Sequence, residues 1–215
     1  MTVKENDRTQ LVFIIDRSGS MSGLEKDTVG GFNSVLARNR RQPGECLVTT
    51  VLFSTGSTVV HDAQPLDKVP DMTLKDYQPG GCTALLDAMG MAMKHIEHQE
   101  DPGRVQFIII TDGEENASRE FNLDEIRGMV TRLTEKRGWD FLFLGANMDA
   151  IAEAGRMGIR PSRAVDAFAD AEGTAVQYEA ISQANLEFRC CSMTTPDSED
   201  WKNAVVNDRR RRRNG

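Results

Sequence analysis

The sequence predicts an open, doubly wound α/β fold with a mostly parallel sheet, one antiparallel edge strand and helices on both faces. Short, continuously apolar segments alternate with longer segments whose apolar residues recur at helical spacing. Apolar runs that do not alternate with polar residues are typical of parallel strands covered on both faces. A chain of 215 residues, 39% of them hydrophobic, is long enough to bury one full core.

The first half of the chain carries three predicted strands and two predicted helices. Five apolar residues at 11–15 form the first strand, and apolar residues at helical spacing place a helix at about 25–41, before Pro43-Gly44. Strands are predicted at 47–53 and 57–61, and the short turn at 54–56 makes the second of them antiparallel, at an edge of the sheet. Residues 62–80 read as a loop, and a helix begins near Thr83.

The second half continues the alternation. The most hydrophobic strand is predicted at 105–110, followed by a helical stripe at 123–133, a strand at 141–144 and a short helix at about 150–157. A weak strand at 164–168 and a helix at about 173–186 complete a domain predicted to span residues 9–190. Residues 191–215 form a polar, arginine-rich tail, which we expect to be disordered.

Composition limits the classes of function. The net charge is −7, so the body of the protein is not expected to bind nucleic acid; the role of the arginine run from Arg209 to Arg213 stays open. No apolar stretch approaches the roughly 18 residues that span a membrane, and the polar first residues lack the core of a secretion signal. Four cysteines without metal-ligand spacing indicate reduced thiols. We therefore expect a cytoplasmic protein that does not contact membranes.

The most informative segment is Asp16-Arg17-Ser18-Gly19-Ser20, directly after the first strand. In an extended segment, side chains two residues apart point the same way, so Asp16, Ser18 and Ser20 can converge on one point. Hard oxygen donors of this kind suit Mg²⁺ or Mn²⁺.

Two further loops are expected at the same edge of the sheet. A glycine turn presents the Thr83 hydroxyl just before a helix, and Asp112 follows the strand at 105–110. Ligand sites in open α/β sheets form beyond the carboxyl ends of the strands, where the strand order reverses. Two of the most hydrophobic strands each end close to an aspartate, as neighbouring strands at such a point would.

Together these three motifs resemble the metal-ion-dependent adhesion site (MIDAS) of von Willebrand factor type A (VWA) domains. The resemblance covers about residues 9–190, with every motif position present, and is greatest to single-domain bacterial or phage members. It implies that Ser18 and Ser20 bind Mg²⁺ or Mn²⁺ directly, that Thr83 joins them in the ligand-ready state, and that Asp16 and Asp112 act mostly through water. It also implies a protein-interaction module, not an enzyme, that recruits a partner's Asp or Glu carboxylate.

Simpler interpretations exist for each residue. Asp16 can cap a turn, Ser20 can begin a helix, Thr83 can be a helix N-cap, and Asp112 can belong to a plain turn. We expect Glu115 to be a solvated charge at the rim.

Three other candidates are weaker. Asp87 is expected to complement a helix dipole. His95 and His98 lie three residues apart, and an exposed helix face is favoured over a metal pair. Asn147 follows another strand and is a minor candidate for the binding face.

Two other functions stay open at this point. The first is a Mg²⁺-dependent phosphoryl hydrolase with Asp16 as its nucleophile, although Ser18 stands where such enzymes carry a second aspartate. The second is a structural component in which the metal only braces the three loops. The partner, the pathway and the oligomeric state are not predicted by the sequence.

Overall fold

The computed structural model describes residues 8–146, 148–190 and 198–213. It confirms an α/β fold with one six-stranded sheet surrounded by helices. The strands are Thr9–Asp16 (β1), Cys46–Phe53 (β2), Ser57–Pro65 (β3), Arg104–Thr111 (β4), Asp140–Ala146 (β5) and Ala164–Ala167 (β6). The helices are Glu25–Arg40 (α1), Leu85–Glu97 (α2), Leu123–Arg137 (α3), Ala150–Arg156 (α4), Ala171–Cys190 (α5) and Asn203–Arg213 (α6).

The order of the strands places β1 and β4 at the centre of the sheet. The order is β3-β2-β1-β4-β5-β6, and only β3 runs antiparallel to its neighbour. The chain builds outward from β1 to one edge, crosses over, and builds from β4 to the other edge. The strand order therefore reverses between β1 and β4, which is where an open α/β sheet forms its ligand sites.

Two apolar layers cover the sheet, one on each face. Leu11, Phe13 and Ile15 of β1 pack in the layer that contains residues of α1 and α5. Val12 and Ile14 face the layer formed with α2, α3 and α4. Every residue of β1 is buried, which explains why residues 11–15 are continuously apolar instead of alternating.

Several elements differ from the predicted bounds. β3 continues to Pro65, so part of the predicted loop is strand, and α2 begins at Leu85, two residues later than expected. α5 continues to Cys190 because Phe188 is buried and Arg189 donates to backbone carbonyls of the segment after α1, including Gly44 O at 3.2 Å.

The prediction of a disordered tail is wrong for residues 200–213. A 3₁₀ turn at Asp200–Lys202 leads into α6, and the side chains of Trp201 and Val205 are buried in the domain core. Arg209 pairs with Asp166, and Arg212 contacts Asp170 at 2.5 Å. Residues 200–213 are ordered because the domain supplies both apolar contacts and acidic partners. Residues 191–197 and 214–215 lie outside the described residues.

None of the helices in the described ranges combines the length and the apolar character needed to cross a membrane.

Candidate metal site

The first and third motif loops meet at the carboxyl ends of β1 and β4. Asp16 is the last residue of β1, and Asp112 directly follows β4. The Ser20 hydroxyl donates to Asp112 Oδ1 at 2.5 Å, and the Ser18 and Ser20 hydroxyl oxygens are 3.0 Å apart. Pairing of β1 with β4 thus brings together residues that are more than ninety positions apart in the sequence.

The second loop brings Thr83 to the same point. A Cβ atom at Gly113 would lie 3.2 Å from Thr83 Oγ1 and 3.5 Å from Ser20 Oγ. Glycine at position 113 therefore leaves the space between these two hydroxyls open. All the residues predicted to hold the metal lie at this one rim: Asp16, Ser18, Ser20, Thr83 and Asp112.

Backbone hydrogen bonds hold the first loop against the second. Gly19 N–H donates to Gly81 O at 3.0 Å, and Gly80 N–H donates to Arg17 O at 2.8 Å. Gly81 has φ of +85°, a conformation that a residue with a side chain rarely adopts. The position of Thr83 relative to the serines is consequently fixed by the main chain.

Asn116 holds the second loop against the third, and the sequence reasoning missed it. Its side-chain Oδ1 accepts from Thr83 N–H at 2.9 Å, and its own N–H donates to Thr83 O at 3.0 Å. The two bonds fix the backbone of the residue whose hydroxyl faces the site. The signal in the sequence that could have identified Asn116 is its position four residues after Asp112, in the loop that follows β4.

Glu115 and Asp87 also join these loops. Glu115 was expected to be solvated, but its Oε2 accepts from Leu86 N–H at 2.9 Å, which satisfies a free donor at the start of α2. Asp87 was expected to act on the dipole of that helix. It does lie in the first turn of α2, and it also accepts three backbone N–H bonds from 119–121, at 2.8 to 2.9 Å. The backbone donors of these bonds lie about thirty residues away in the sequence, so the local sequence around each carboxylate does not reveal them.

Asp16 is completely buried, and hydrogen bonds hold both of its carboxylate oxygens. Ser18 N–H donates to Oδ1 and the Thr111 hydroxyl donates to Oδ2, each at 2.6 Å. The buried Tyr77 hydroxyl donates to Asp16 O. Burial raises the pKa of Asp16, and the hydrogen bonds from Thr111 and Ser18 oppose that effect. A carboxylate held in this way is poorly placed for nucleophilic attack, so the geometry argues against the hydrolase hypothesis.

Asp112 is also buried, with 8% of its surface exposed. Burial raises its pKa, and the hydrogen bond from Ser20 opposes that effect. Within the described residues, neither Asp16 nor Asp112 forms an ion pair. Arg17, the nearest cation in sequence, donates to Thr58 Oγ1 at 3.1 Å on β3.

This donor set fits a small divalent cation. Two buried carboxylates without a cationic partner are costly, and a bound cation would relieve that cost. Hydroxyl and carboxylate oxygens are the ligands that Mg²⁺ and Mn²⁺ prefer. The described residues contain no cluster of three or more His, Cys, Asp or Glu side chains that could hold a metal. A metal site at this rim would therefore depend on hydroxyl ligands.

The two helix histidines have separate partners. His95 Nε2 contacts Asp62 Oδ1 at 2.7 Å, and His98 Nδ1 contacts Lys94 O at 2.6 Å. This arrangement agrees with an exposed helix face. Asn147 lies outside the described residues.

Solved structures with the same fold include a von Willebrand factor type A protein and two metal-loaded proteins. Proximal thread matrix protein 1 from the mussel byssus, with a zinc-occupied MIDAS motif, aligns with a TM-score of 0.62 and 15% identity, over 83% of this chain and 46% of that one. Manganese-loaded TRAP protein from Plasmodium vivax aligns with a TM-score of 0.55 and 16% identity, over 76% and 69%. A von Willebrand factor type A protein from Catenulispora acidiphila aligns with a TM-score of 0.57 and 16% identity, over 83% and 43%.

At these identities the likeness shows the fold, which is that of VWA domains. The chain spans less than half the length of the mussel protein. No protein-family model matches the sequence, and no curated protein matches it.

Proposed function

We propose that this protein is a metal-dependent protein-interaction module with a complete MIDAS. Ser18, Ser20 and Thr83 would hold Mg²⁺ or Mn²⁺ directly, and Asp16 and Asp112 would support it mostly through water. The cation's open position would take a carboxylate from an Asp or Glu of a partner protein.

One observation carries the proposal. Two buried carboxylates from adjacent strands surround a cluster of hydroxyls, and within the described residues no cationic side chain pairs with either of them. A site that served only to stabilise the fold would be expected to pair these charges. Here the counter-charge is left to a bound cation.

The chemistry of the donors favours recruitment of an anion. Neutral hydroxyls leave much of the charge of a divalent cation uncompensated, and the two aspartates are held by Thr111, Ser18 and Ser20. Mg²⁺ and Mn²⁺ prefer six oxygen ligands, so a position remains for water or for a partner's carboxylate. The hydrogen bonds between the loops would keep this arrangement in place before the partner binds.

We further propose that the protein works in the cytoplasm. Cys46, Cys82 and Cys190 are unpaired thiols, which suits a reducing compartment. A bacterial or phage origin stays a prediction of the resemblance, and so does the preference for Mg²⁺.

Affinity capture with the purified chain as bait tests the proposal. Lysates of the native host would be passed over the bait in Mn²⁺ and in EDTA, and proteins retained only with Mn²⁺ would be identified by mass spectrometry. Asp16→Ala and Thr83→Ala should abolish that capture. Ser22→Ala serves as the matched control, because Ser22 is an exposed serine just after the first loop, outside the site.

Two results would contradict the proposal. Capture that persists in Asp16→Ala and Thr83→Ala would show that the rim does not bind the partner. If EDTA lowers the melting temperature but leaves capture unchanged, the metal only braces the loops.

A further inference from the structure

A small, partly enclosed cavity lies directly behind the metal rim, between β4, α1 and α5. Its volume is about 10 Å³, close to that of one probe sphere, which is enough for a single water molecule. Among the described residues that line it, Asp112 is the only charged one. The other polar side chains that line it are Thr28, Thr111, Thr174, Gln177 and Tyr178.

Three of these lining residues carry a buried polar atom without a hydrogen-bond partner. The atoms are Thr28 Oγ1, Gln177 Nε2 and the Tyr178 hydroxyl. Their residues are 0%, 5% and 3% exposed. Buried polar atoms almost always have partners, so three around one cavity indicate a missing bridging group.

Neighbouring protein groups do not satisfy these atoms. Thr28 Oγ1 lies near the Tyr77 hydroxyl, which donates its own hydrogen to Asp16 O. The geometry between Thr28 Oγ1 and that hydroxyl does not meet the criteria for a hydrogen bond. Tyr178 packs its ring against Gly31 of α1, where a Cβ atom would come within 2.2 Å of the ring, so this ring cannot move toward α1. The bridging group must therefore enter the cavity.

We propose that one ordered water occupies this cavity and supports Asp112 from behind, so that Gln177 and Tyr178 are positioning residues for the metal site. The water accepts from Gln177 Nε2 and from the Tyr178 hydroxyl. It donates to Thr28 Oγ1 and to the Asp112 carboxylate. These four bonds match the bonding capacity of one water.

The role assigned to Asp112 rests on the proposed function. Ser20 donates to Asp112 Oδ1 from the metal side, and the water donates to the carboxylate from the core side. Donors on both sides would fix the orientation of the carboxylate and favour its charged form. Groups bonded directly to metal ligands typically change metal affinity by 10- to 100-fold when they are replaced. Gln177 and Tyr178 would act on Asp112 through a water and lie further from the metal, so we expect a change at the lower end of that range.

Gln177→Leu and Tyr178→Phe test this role by Mn²⁺ titration calorimetry. Each removes one donor with little change in volume, and we expect about 10-fold weaker Mn²⁺ binding. Asn185→Leu is the matched control, because Asn185 is also buried on α5 with unpartnered polar atoms but does not line the cavity. Its affinity should stay within about twofold of the parent. Equal weakening by Asn185→Leu would overturn the positioning role.

High-resolution crystal structures of the metal-free protein provide a test that does not depend on metal binding. Density for one water is expected in the parent and in Asn185→Leu. In Gln177→Leu that density should be lost and the Asp112 side chain should turn. An empty cavity in the parent overturns the inference. If the parent contains the water but binds no Mn²⁺, the proposed function is overturned. The role of Gln177 and Tyr178 in positioning Asp112 for a metal is then overturned with it.

Discussion

The metal rim and the surface beneath α6 both gather carboxylates, but they neutralise them in opposite ways. Around α6, the acidic side chains pair with arginines of the same chain; the pairs are Arg209 with Asp166, Arg211 with Glu172 and Asp208, and Arg212 with Asp170, Glu172 and Asp208. At the rim, Asp16 and Asp112 are buried without an ion pair in the described part of the chain. The chain thus supplies its own counter-charge where a helix must stay docked, and leaves it out at the rim, where we propose that an external cation binds.

The largest expected effect comes from Asp16→Asn at the rim. Mn²⁺ affinity should fall about 100-fold in calorimetry, because the substitution removes a charge beside the cation while keeping the shape of the side chain. The free energy of unfolding of the metal-free protein should stay the same or rise, since a buried charge without a cationic partner is lost.

Asp166→Asn is the matched substitution beneath α6. It leaves Arg209 without its carboxylate, so the free energy of unfolding should fall while Mn²⁺ affinity stays unchanged. Parental affinity in Asp16→Asn, or weakened affinity in Asp166→Asn, would remove the distinction between the two regions.

Removing the metal should lower the stability of the domain and loosen the rim loops, without changing the local opening of α6. Mn²⁺ at 100 times its Kd should add about 2.7 kcal/mol to the free energy of unfolding in urea, relative to EDTA. Hydrogen exchange should slow in the three rim loops and stay unchanged in α6. The same stabilisation in Asp16→Asn would show that Mn²⁺ binds elsewhere.

Removing the arginine partners should affect only α6. Arg209→Gln with Arg212→Gln should lower the free energy of unfolding by a small but measurable amount, because solvent screens ion pairs at the surface. Amides of α6 should lose hydrogen-exchange protection, while Mn²⁺ affinity should not change. Arg210→Gln is the control, since Arg210 is exposed and forms no ion pair within the described residues. An equal effect of Arg210→Gln would mean that the run acts through its total charge.

The smallest expected effect is a pH dependence of α6 docking. The Gly173 N–H bond and the Arg212 side chain lower the pKa of Asp170 below its ordinary value of 3.8. A lowered pKa means that the stabilisation is complete above about pH 4 and is lost as the pH falls through the folded-state pKa. As the pH is lowered from about 5 to about 2.5, the urea midpoint of unfolding should therefore fall less steeply in Asp170→Asn than in the parent. Parallel curves would show that Asp170 does not contribute.

Much of the fold was predictable because its signals are local. The apolar run of β1 and the stripe of α1 each lie within one short segment, and the structure confirms the α/β class with one antiparallel edge strand. The five site residues were also predictable as candidates, since each follows a strand or precedes a helix. That they hold a metal stays a prediction.

The contacts that support the site were not predictable, because their partners are distant in sequence. Asn116 reaches Thr83 across 33 positions, and Tyr77 reaches Asp16 across 61. The docking of α6 depends in the same way on acidic residues of β6 and the segment after it. A basic run read alone resembles a solvated tail, because its neutralisation is visible only when those acids come beside it.

The sequence by itself determined the strand-and-helix order and placed an aspartate with two hydroxyls at the end of β1. Only the tertiary structure decided which carboxylates have arginine partners and which do not, since that depends on distances between segments that the backbone brings together. It also decided that Asp112 borders a cavity of single-water size, because a void exists only once β4, α1 and α5 have packed. The order of strands and helices follows from the periodicity of apolar side chains and from the residues that form turns. The pairing of charges instead depends on which segments the fold brings together.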